Sequence, residues 1–243
     1  MSLLRLSSVA KSYTRGNRAT AILRDASLVV EPGSLVSVYG GRASGKTTLL
    51  KLAAGIEAPD DGVVAIADRR LDALSKRQLL ELRRETLGWV DRDGPYDSRL
   101  TMETYVALPL YRELGSRPAR SRALDCLAAL GARQYAEARW DDLSNAQRVL
   151  CAIAHATALE PRLLIADDPT AGLGLLDRER ICQVLRAVAD DGLGVLVAVP
   201  DISATLRSHE TRALVAGRLL SPADDTPDDS GAEVVDLATR RSA

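Results

Sequence analysis

No phenylalanine occurs in this chain of 243 residues, and aromatic side chains of all kinds make up 3% of it. With alanine, leucine and arginine so abundant, that shortage reads as a base-composition bias of the source genome and says nothing about function. An excess of either charge is missing as well. The 32 Lys and Arg nearly match the 33 Asp and Glu, leaving a formal net charge of −1. No basic field therefore advertises nucleic acid or an acidic membrane surface, nucleic acid is not an expected partner, and any partner must be recognised locally. Long apolar runs are absent too: none approaches the roughly 20 residues needed to cross a bilayer. The opening MSLLRLSSVAKSY lacks the apolar centre of a secretory leader. The expectation is a cytoplasmic chain that reaches a membrane only through a partner. Cysteine is sparse and unpatterned. Cys126, Cys151 and Cys182 are odd in number, and two lie in apolar stretches that read as buried helix. That pattern excludes a disulfide framework and points to free buried thiols in a reduced compartment.

What is present is enough apolar material, 46% of the residues, for one main domain with a subsidiary one. LLRLSSVAKSY and AILRDASLVV alternate apolar and polar residues around the turn-like TRGNRAT, which predicts two half-exposed antiparallel strands. SLVSVY (34–39) is a compact β-rich run that enters a glycine-rich loop directly, and KTTLLKLAAG follows with helical period, ended by Gly55. Short strands and turns are expected over 56–73, a charged helix with a solvated face over 75–85, and a buried strand over 86–90. Between about 95 and 142 the pattern turns helical, as TMETYVALPLYREL and ARSRALDCLAALG separated by SRPAR. Strand signals return in RLLIADDP (162–169) and GVLVAVP (194–200), with the helix LLDRERICQVLRAVADD between them, and TRALVAG (211–217) closes with a last short strand. Strands alternating with helices predict a parallel sheet covered on both faces. Residues 221–243, rich in Pro, Gly, Ser and clustered charge, read as a disordered tail.

The stretch GGRASGKTT comprises Gly40, Gly41, Arg42, Ala43, Ser44, Gly45, Lys46, Thr47 and Thr48, and it contains the pattern G-x4-G-K-T. Between a strand and a helix, such glycines let consecutive backbone N–H groups turn inward around phosphate oxygens at a helix N-terminus. Lys46 then reaches the β- and γ-phosphates of ATP and Thr47 holds Mg2+ through its hydroxyl. The plainer alternative, an ordinary Gly-rich turn, leaves that lysine and threonine unexplained. A second metal ligand is expected at the end of a neighbouring buried strand, where RLLIAD supplies Asp167; a turn aspartate before Pro169 is the other reading of that residue.

Ahead of Asp167 runs DDLSNAQRVLCAIAHATALEPRLLIADDPT, and here the chain resembles the ATP-binding subunits of ATP-binding-cassette (ABC) transporters, whose pattern is LSGGQ, a helix, then an apolar strand ending in DEP. The likeness runs in order over residues 3–220. The stretch TLGWVDRDGPYDSRLTMETYVALPL is similar to the subfamily that serves lipoprotein release, macrolide export and cell division. The resemblance implies an α/β P-loop NTPase cassette over 1–220, with a parallel core sheet, an antiparallel β subdomain and a helical subdomain at about 95–142. It implies ATP and Mg2+ as ligands, a membrane-spanning permease subunit as partner, and a second cassette, identical or different, completing each ATP site. It sets Tyr13 under adenine, Ser144 and Gln147 in the signature that reaches the other cassette's ATP, and Asp168 at the catalytic glutamate.

Five elements depart from that pattern. Arg92 stands at the Q-loop glutamine, where it binds phosphate or simply forms a surface ion pair. Asn145 and Ala146 occupy the signature glycines, Asp168 replaces glutamate, Gly174 replaces the D-loop aspartate, and Pro200 stands at the switch histidine. Asp168 keeps the charge of a general base but is one methylene short, and a misplacement of about 1 Å can cost on the order of 100-fold in rate. Pro200 offers neither a side-chain donor nor a backbone N–H. The binding parts are thus kept and the hydrolysing parts replaced. Two readings follow: an export or mechanotransmission subunit at the cytoplasmic face of the membrane with slow or absent hydrolysis, or a non-transporting regulator whose ATP binding gates a membrane or cell-wall partner.

Overall fold

The period-two alternation at the start of the chain folds as an antiparallel pair, β1 (Leu4–Arg15) and β2 (Arg18–Val30). This is seen in a computed structural model that describes residues 2–16, 18–90, 94, 95, 97–205 and 207–221. Leu4 pairs with Val30 and Leu6 with Leu28, all four buried, while between them the exposed Arg5 pairs with the half-buried Val29. The strands extend further toward one another than the turn signal TRGNRAT suggested, and the hairpin closes around Gly16. There follow β3 (Leu35–Tyr39), α1 (Lys46–Ala53), β4 (Asp61–Ile66), the two-residue β5 (Arg69–Arg70), α2 (Lys76–Thr86) and β6 (Leu87–Val90). A helical stretch contains α3 (Met102–Ala107), α4 (Tyr111–Leu114) and α5 (Ser116–Ala129), and leads through short 3-10 turns to α6 (Asn145–Thr157). The chain then returns to β7 (Leu163–Asp167), α7 (Leu175–Asp190), β8 (Gly194–Val199), β9 (Glu210–Val215) and β10 (Arg218–Leu220).

Among the described residues, the strands form a sheet in the order β2-β1-β4-β5 and a larger one in the order β10-β9-β3-β8-β7-β6. From β9 to β6 every neighbouring pair in the larger sheet is parallel. That sheet separates two cores. On one face Leu164 and Ala166 of β7 and Val195, Val197 and Val199 of β8 pack with α3, α5, α6 and α7. On the other, Leu163 and Ile165 of β7, with Leu196 and Ala198 of β8, pack with α1 and the antiparallel sheet. These two strands are apolar on both sides because both sides are covered, and each large side chain so buried contributes about 1.5–3 kcal/mol by leaving water. In the helical part, Tyr105 meets Trp140 edge to face with centroids 5.8 Å apart and stacks on His155 at 4.3 Å.

Two local expectations need correction. SRPAR does not separate the helices: it is the first turn of α5, and the break lies one residue earlier at Gly115, whose φ of 74° interrupts the helical path. Pro118 is tolerated there because N–H groups in a first helical turn have no intrahelical partner to lose. Nor does the strand at TRALVAG end the sheet. The chain turns at Ala216 and Gly217, both at positive φ, and β10 comes back antiparallel along β9. Arg92 lies outside the described residues, as does the proposed tail from residue 222 onward.

Candidate functional site

Parallel pairing brings three strand ends together. Tyr39, the last residue of β3, pairs with Val199 of β8, and Ala198 pairs with Asp167 of β7. The carboxyl ends of such a sheet are where an open α/β fold presents its ligand crevice. From β3 the chain passes through residues 40–45 into α1, whose start has no side-chain cap and no acidic residue in its first turn. Its first N–H groups therefore remain available to an anion. Two glycines are demanded by geometry. Gly45 has φ 106°, and a Cβ there would stand 2.9 Å from Ile22 Cγ2. A Cβ on Gly40 would come within 2.7 Å of Ser44 Oγ and 2.8 Å of the Leu214 carbonyl oxygen.

Lys46, 7% exposed, folds back so that its ammonium donates to the carbonyl oxygens of Gly40 (2.8 Å) and Gly41 (3.1 Å). The cation thus sits at the mouth of the loop. Ser44 Oγ is buried with no hydrogen-bond partner among the described residues. Thr47 Oγ1 donates to Asp167 Oδ2 at 2.6 Å, tying α1 to the end of β7. Together they form a cleft of about 400 Å3 lined by Tyr13, Ile22, Asp168 and the run Arg42, Ala43, Ser44, Gly45, Lys46, Thr47 and Thr48. A cation, an uncapped helix start, an orphaned hydroxyl and a hydroxyl–carboxylate pair suit a polyphosphate with a hard divalent ion. Mg2+ commonly takes one or two protein oxygens and draws the rest from phosphate and water.

Asp168 closes the cleft from β7 in the left-handed region at φ 45°, with its N–H donating to the Ala198 carbonyl at 3.0 Å. Pro200 follows β8 at the same end of the sheet. The loop beyond it is tied to α7: Arg178 lies 3.5 Å from Asp201 Oδ2 and donates to Ser203 Oγ at 3.2 Å. Hydrogen bonds from Ser203, with Arg178 nearby, hold the Asp201 carboxyl below the usual carboxylate range.

Ser144 and Gln147 do not line this cleft. They cap α6 reciprocally: the Ser144 hydroxyl accepts from the Gln147 N–H at 3.4 Å, and Gln147 Oε1 accepts from the Ser144 N–H at 2.8 Å. The two residues at the signature glycines part ways. Asn145 is exposed, but Ala146 is 6% exposed with its methyl in the core. Gly174 precedes α7, and Leu175 and Leu176 beside it are 81% and 88% exposed.

A sequence model of the ABC transporter family matches residues 23–171. The chain belongs to the ABC transporter family. This ABC chain is 33% identical over 204 residues to the lipoprotein-releasing system ATP-binding protein LolD 1 of Rhodospirillum rubrum, covering 82% of this chain and 90% of that one. It is 29% identical over 220 residues to the macrolide export ATP-binding/permease protein MacB 1/2 of Paracoccus denitrificans, a match that takes in 90% of this chain but 33% of that longer protein. Among solved structures, the dimeric bacterial ABC transporter cassette MJ0796 superposes with a TM-score of 0.81 at 29% identity, over 89% of this chain and 96% of that one. The ABC fold is therefore established here. Sequence reasoning passed over Ile22, whose packing against Gly45 shapes the loop, and Arg178, which anchors the segment after Pro200; neither belongs to a local motif.

Proposed function

We propose that this ABC cassette is the ATP-binding subunit of a membrane export or mechanotransmission complex, and that it holds ATP with Mg2+ while hydrolysing it slowly. The observation that carries the binding half is the Thr47–Asp167 hydrogen bond beside the uncapped start of α1. Lys46 and the loop N–H groups would hold the phosphates, Thr47 and Asp167 the Mg2+, and Tyr13 the base. Bound there, Mg2+ would neutralise phosphate charge. A cassette of the same family has been solved bound to ADP and Pi, with a TM-score of 0.80 and 29% identity to this chain, which supports the nucleotide reading.

The slow-turnover half rests on chemistry at the ends of β7 and β8. Asp168 is a short base, and Pro200 supplies no donor where the family pattern has a histidine. Removing one such electrostatic contact costs roughly 10² to 10³ in rate in other enzymes. Arg178, Asp201 and Ser203 are engaged with one another rather than aimed at the cleft.

Residues 1–220 form the nucleotide-binding domain in this reading, with the helices between about 95 and 142 as the surface for a permease. The exposed Leu175 and Leu176 and the likeness to a dimeric cassette support a second cassette as partner. Among the described residues no helix is long and apolar enough to cross a membrane. Action at the cytoplasmic face therefore depends on that permease, in keeping with relatives named for lipoprotein release and macrolide export. The replaced hydrolytic positions also favour the second reading, a regulator that signals by ATP occupancy and transports nothing.

The test is a thermal melt with millimolar ATP and Mg2+ for the unaltered chain and Lys46→Ala. Ligand at about 100 times its dissociation constant adds roughly 2.7 kcal/mol, and Lys46→Ala removes most of it. No shift in the unaltered chain overturns the proposal.

A further inference from the structure

Tyr13 lies just past the irregular part of β1, whose pairing with β2 shifts register between Val9 and Lys11 and again between Lys11 and Ser12, and it pairs with Thr20 of β2. Strand pleating sets the face from which the side chain leaves but not the torsions that aim the ring. The ring is 41% exposed on the wall of the cleft, so packing does not hold it either. What reaches its tip is Glu57, in the loop between α1 and β4: the Tyr13 phenol donates to Glu57 Oε2. The other carboxylate oxygen, Oε1, accepts from Lys51 Nζ at 3.1 Å, and Lys51 belongs to the last turn of α1. One carboxylate thus joins the aromatic wall to the helix that presents Lys46 and Thr47 at its other end.

The neighbouring contacts fix the strand rather than the ring. Asp60 Oδ2 accepts from the Ser12 N–H at 2.7 Å, and Oδ1 accepts from Lys11 Nζ at 2.9 Å. Lys11 Nζ also lies over the Tyr13 ring, 5.9 Å from its centroid, and the ring lines the cleft. The hydrogen bond from Tyr13, with the Lys51 ammonium behind it, keeps the Glu57 carboxyl below its usual range and hence ionised and accepting.

We infer that Glu57 is a positioning residue for the nucleotide base: through the Tyr13 phenol it holds the ring as a platform for the base of a nucleotide whose phosphates sit on the Lys46 loop. The inference rests on the ATP reading above and adds a residue to it. An isolated ion pair as exposed as Lys51–Glu57 contributes little to stability. Its consequence lies in orientation, because a ring fixed in advance spares a ligand the loss of that freedom on binding.

The experiment titrates the full chain with MgATP and, separately, with inorganic tripolyphosphate, which has the phosphates and no base. The unaltered protein binds both. Glu57→Ala weakens ATP about three- to tenfold, the range of one hydrogen bond's net worth, and leaves tripolyphosphate unchanged. Glu57→Gln, whose amide oxygen still accepts from the phenol, restores most of the ATP affinity. Tyr13→Phe breaks the same contact without touching Lys51, and should match Glu57→Ala, with no further loss in the double variant. Tyr13→Phe also carries the test should Glu57→Ala fail to fold. Unchanged ATP affinity in these variants, or equal loss of both ligands, overturns the inference alone. Binding of neither ligand by the unaltered protein overturns the ATP reading, and this inference with it.

Discussion

Replacing Thr47 by valine keeps the outline of the side chain and removes one hydroxyl. In the ligand-free protein that hydroxyl donates to Asp167 Oδ2 at 2.6 Å. A hydrogen bond to a charged acceptor contributes about 1.5–3 kcal/mol, and solvent access to Thr47 sets the value here at or below the low end, about 1 kcal/mol. For a domain of this size, each kcal/mol moves the melting temperature by roughly 2–4 °C, so the variant should melt about 2–4 °C lower without ligand. The larger effect is on Mg2+. Saturating ligand at about 100 times its dissociation constant adds roughly 2.7 kcal/mol, or about 5–11 °C on the same scale, and that gain should separate into a part given by ATP with a chelator and a further part given by adding Mg2+. Thr47→Val is expected to keep the first and lose most of the second, as read by scanning fluorimetry in three buffers. An undiminished Mg2+ increment in the variant refutes the assignment. Loss of both increments together refutes it as well, because the hydroxyl would then be serving the fold of the loop rather than the metal.

Other expectations follow from the same geometry. Ser144→Ala breaks the reciprocal cap of α6 and should cost about 1 kcal/mol, seen as a lower urea midpoint at unchanged slope. Burial pushes the Cys151 thiol up to about 12, so the folded state keeps its proton where the unfolded chain loses it. Stability from this group is complete below the unfolded thiol value of about 8.5 and falls by up to about 1.4 kcal/mol per pH unit above it, and Cys151→Ala should flatten that alkaline decline in urea melts taken across the range. Asp168→Glu alone should recover little hydrolysis and destabilise slightly, since glutamate is less at ease than aspartate at φ 45°. Asp168→Glu with Pro200→His should exceed the sum of the single changes if both groups serve one step, and simple additivity in steady-state rates would contradict that coupling.

The glycine loop between β3 and α1 was legible because its information is local: glycines, a lysine and a threonine lie in one short run between an apolar strand and a helical period. Asp167 was legible for a similar reason, as the first charge after a buried run. The two cores were not. Leu163, Leu164, Ile165 and Ala166 are uniformly apolar, and only the built sheet assigns alternate members to opposite faces. SRPAR misled because proline reads as a break, although a first helical turn accepts it. Ala146 stands at a signature glycine, and only the helical register of α6 shows that its methyl turns into the core. The Tyr13–Glu57 contact spans 44 residues of sequence and depends on how the antiparallel sheet folds back over α1, which no local pattern encodes.

The central claim is that ATP is held and hardly cleaved, and the measurement that meets it most directly is turnover by the purified chain at saturating MgATP, with bound nucleotide quantified in the same sample. The account predicts saturable binding that Lys46→Ala abolishes, with phosphate release at least about 100-fold slower than in a cassette that has both glutamate and histidine in place. Saturable binding accompanied by turnover in the ordinary range would contradict it, and would mean that Asp168 serves as an adequate base without a histidine beside it.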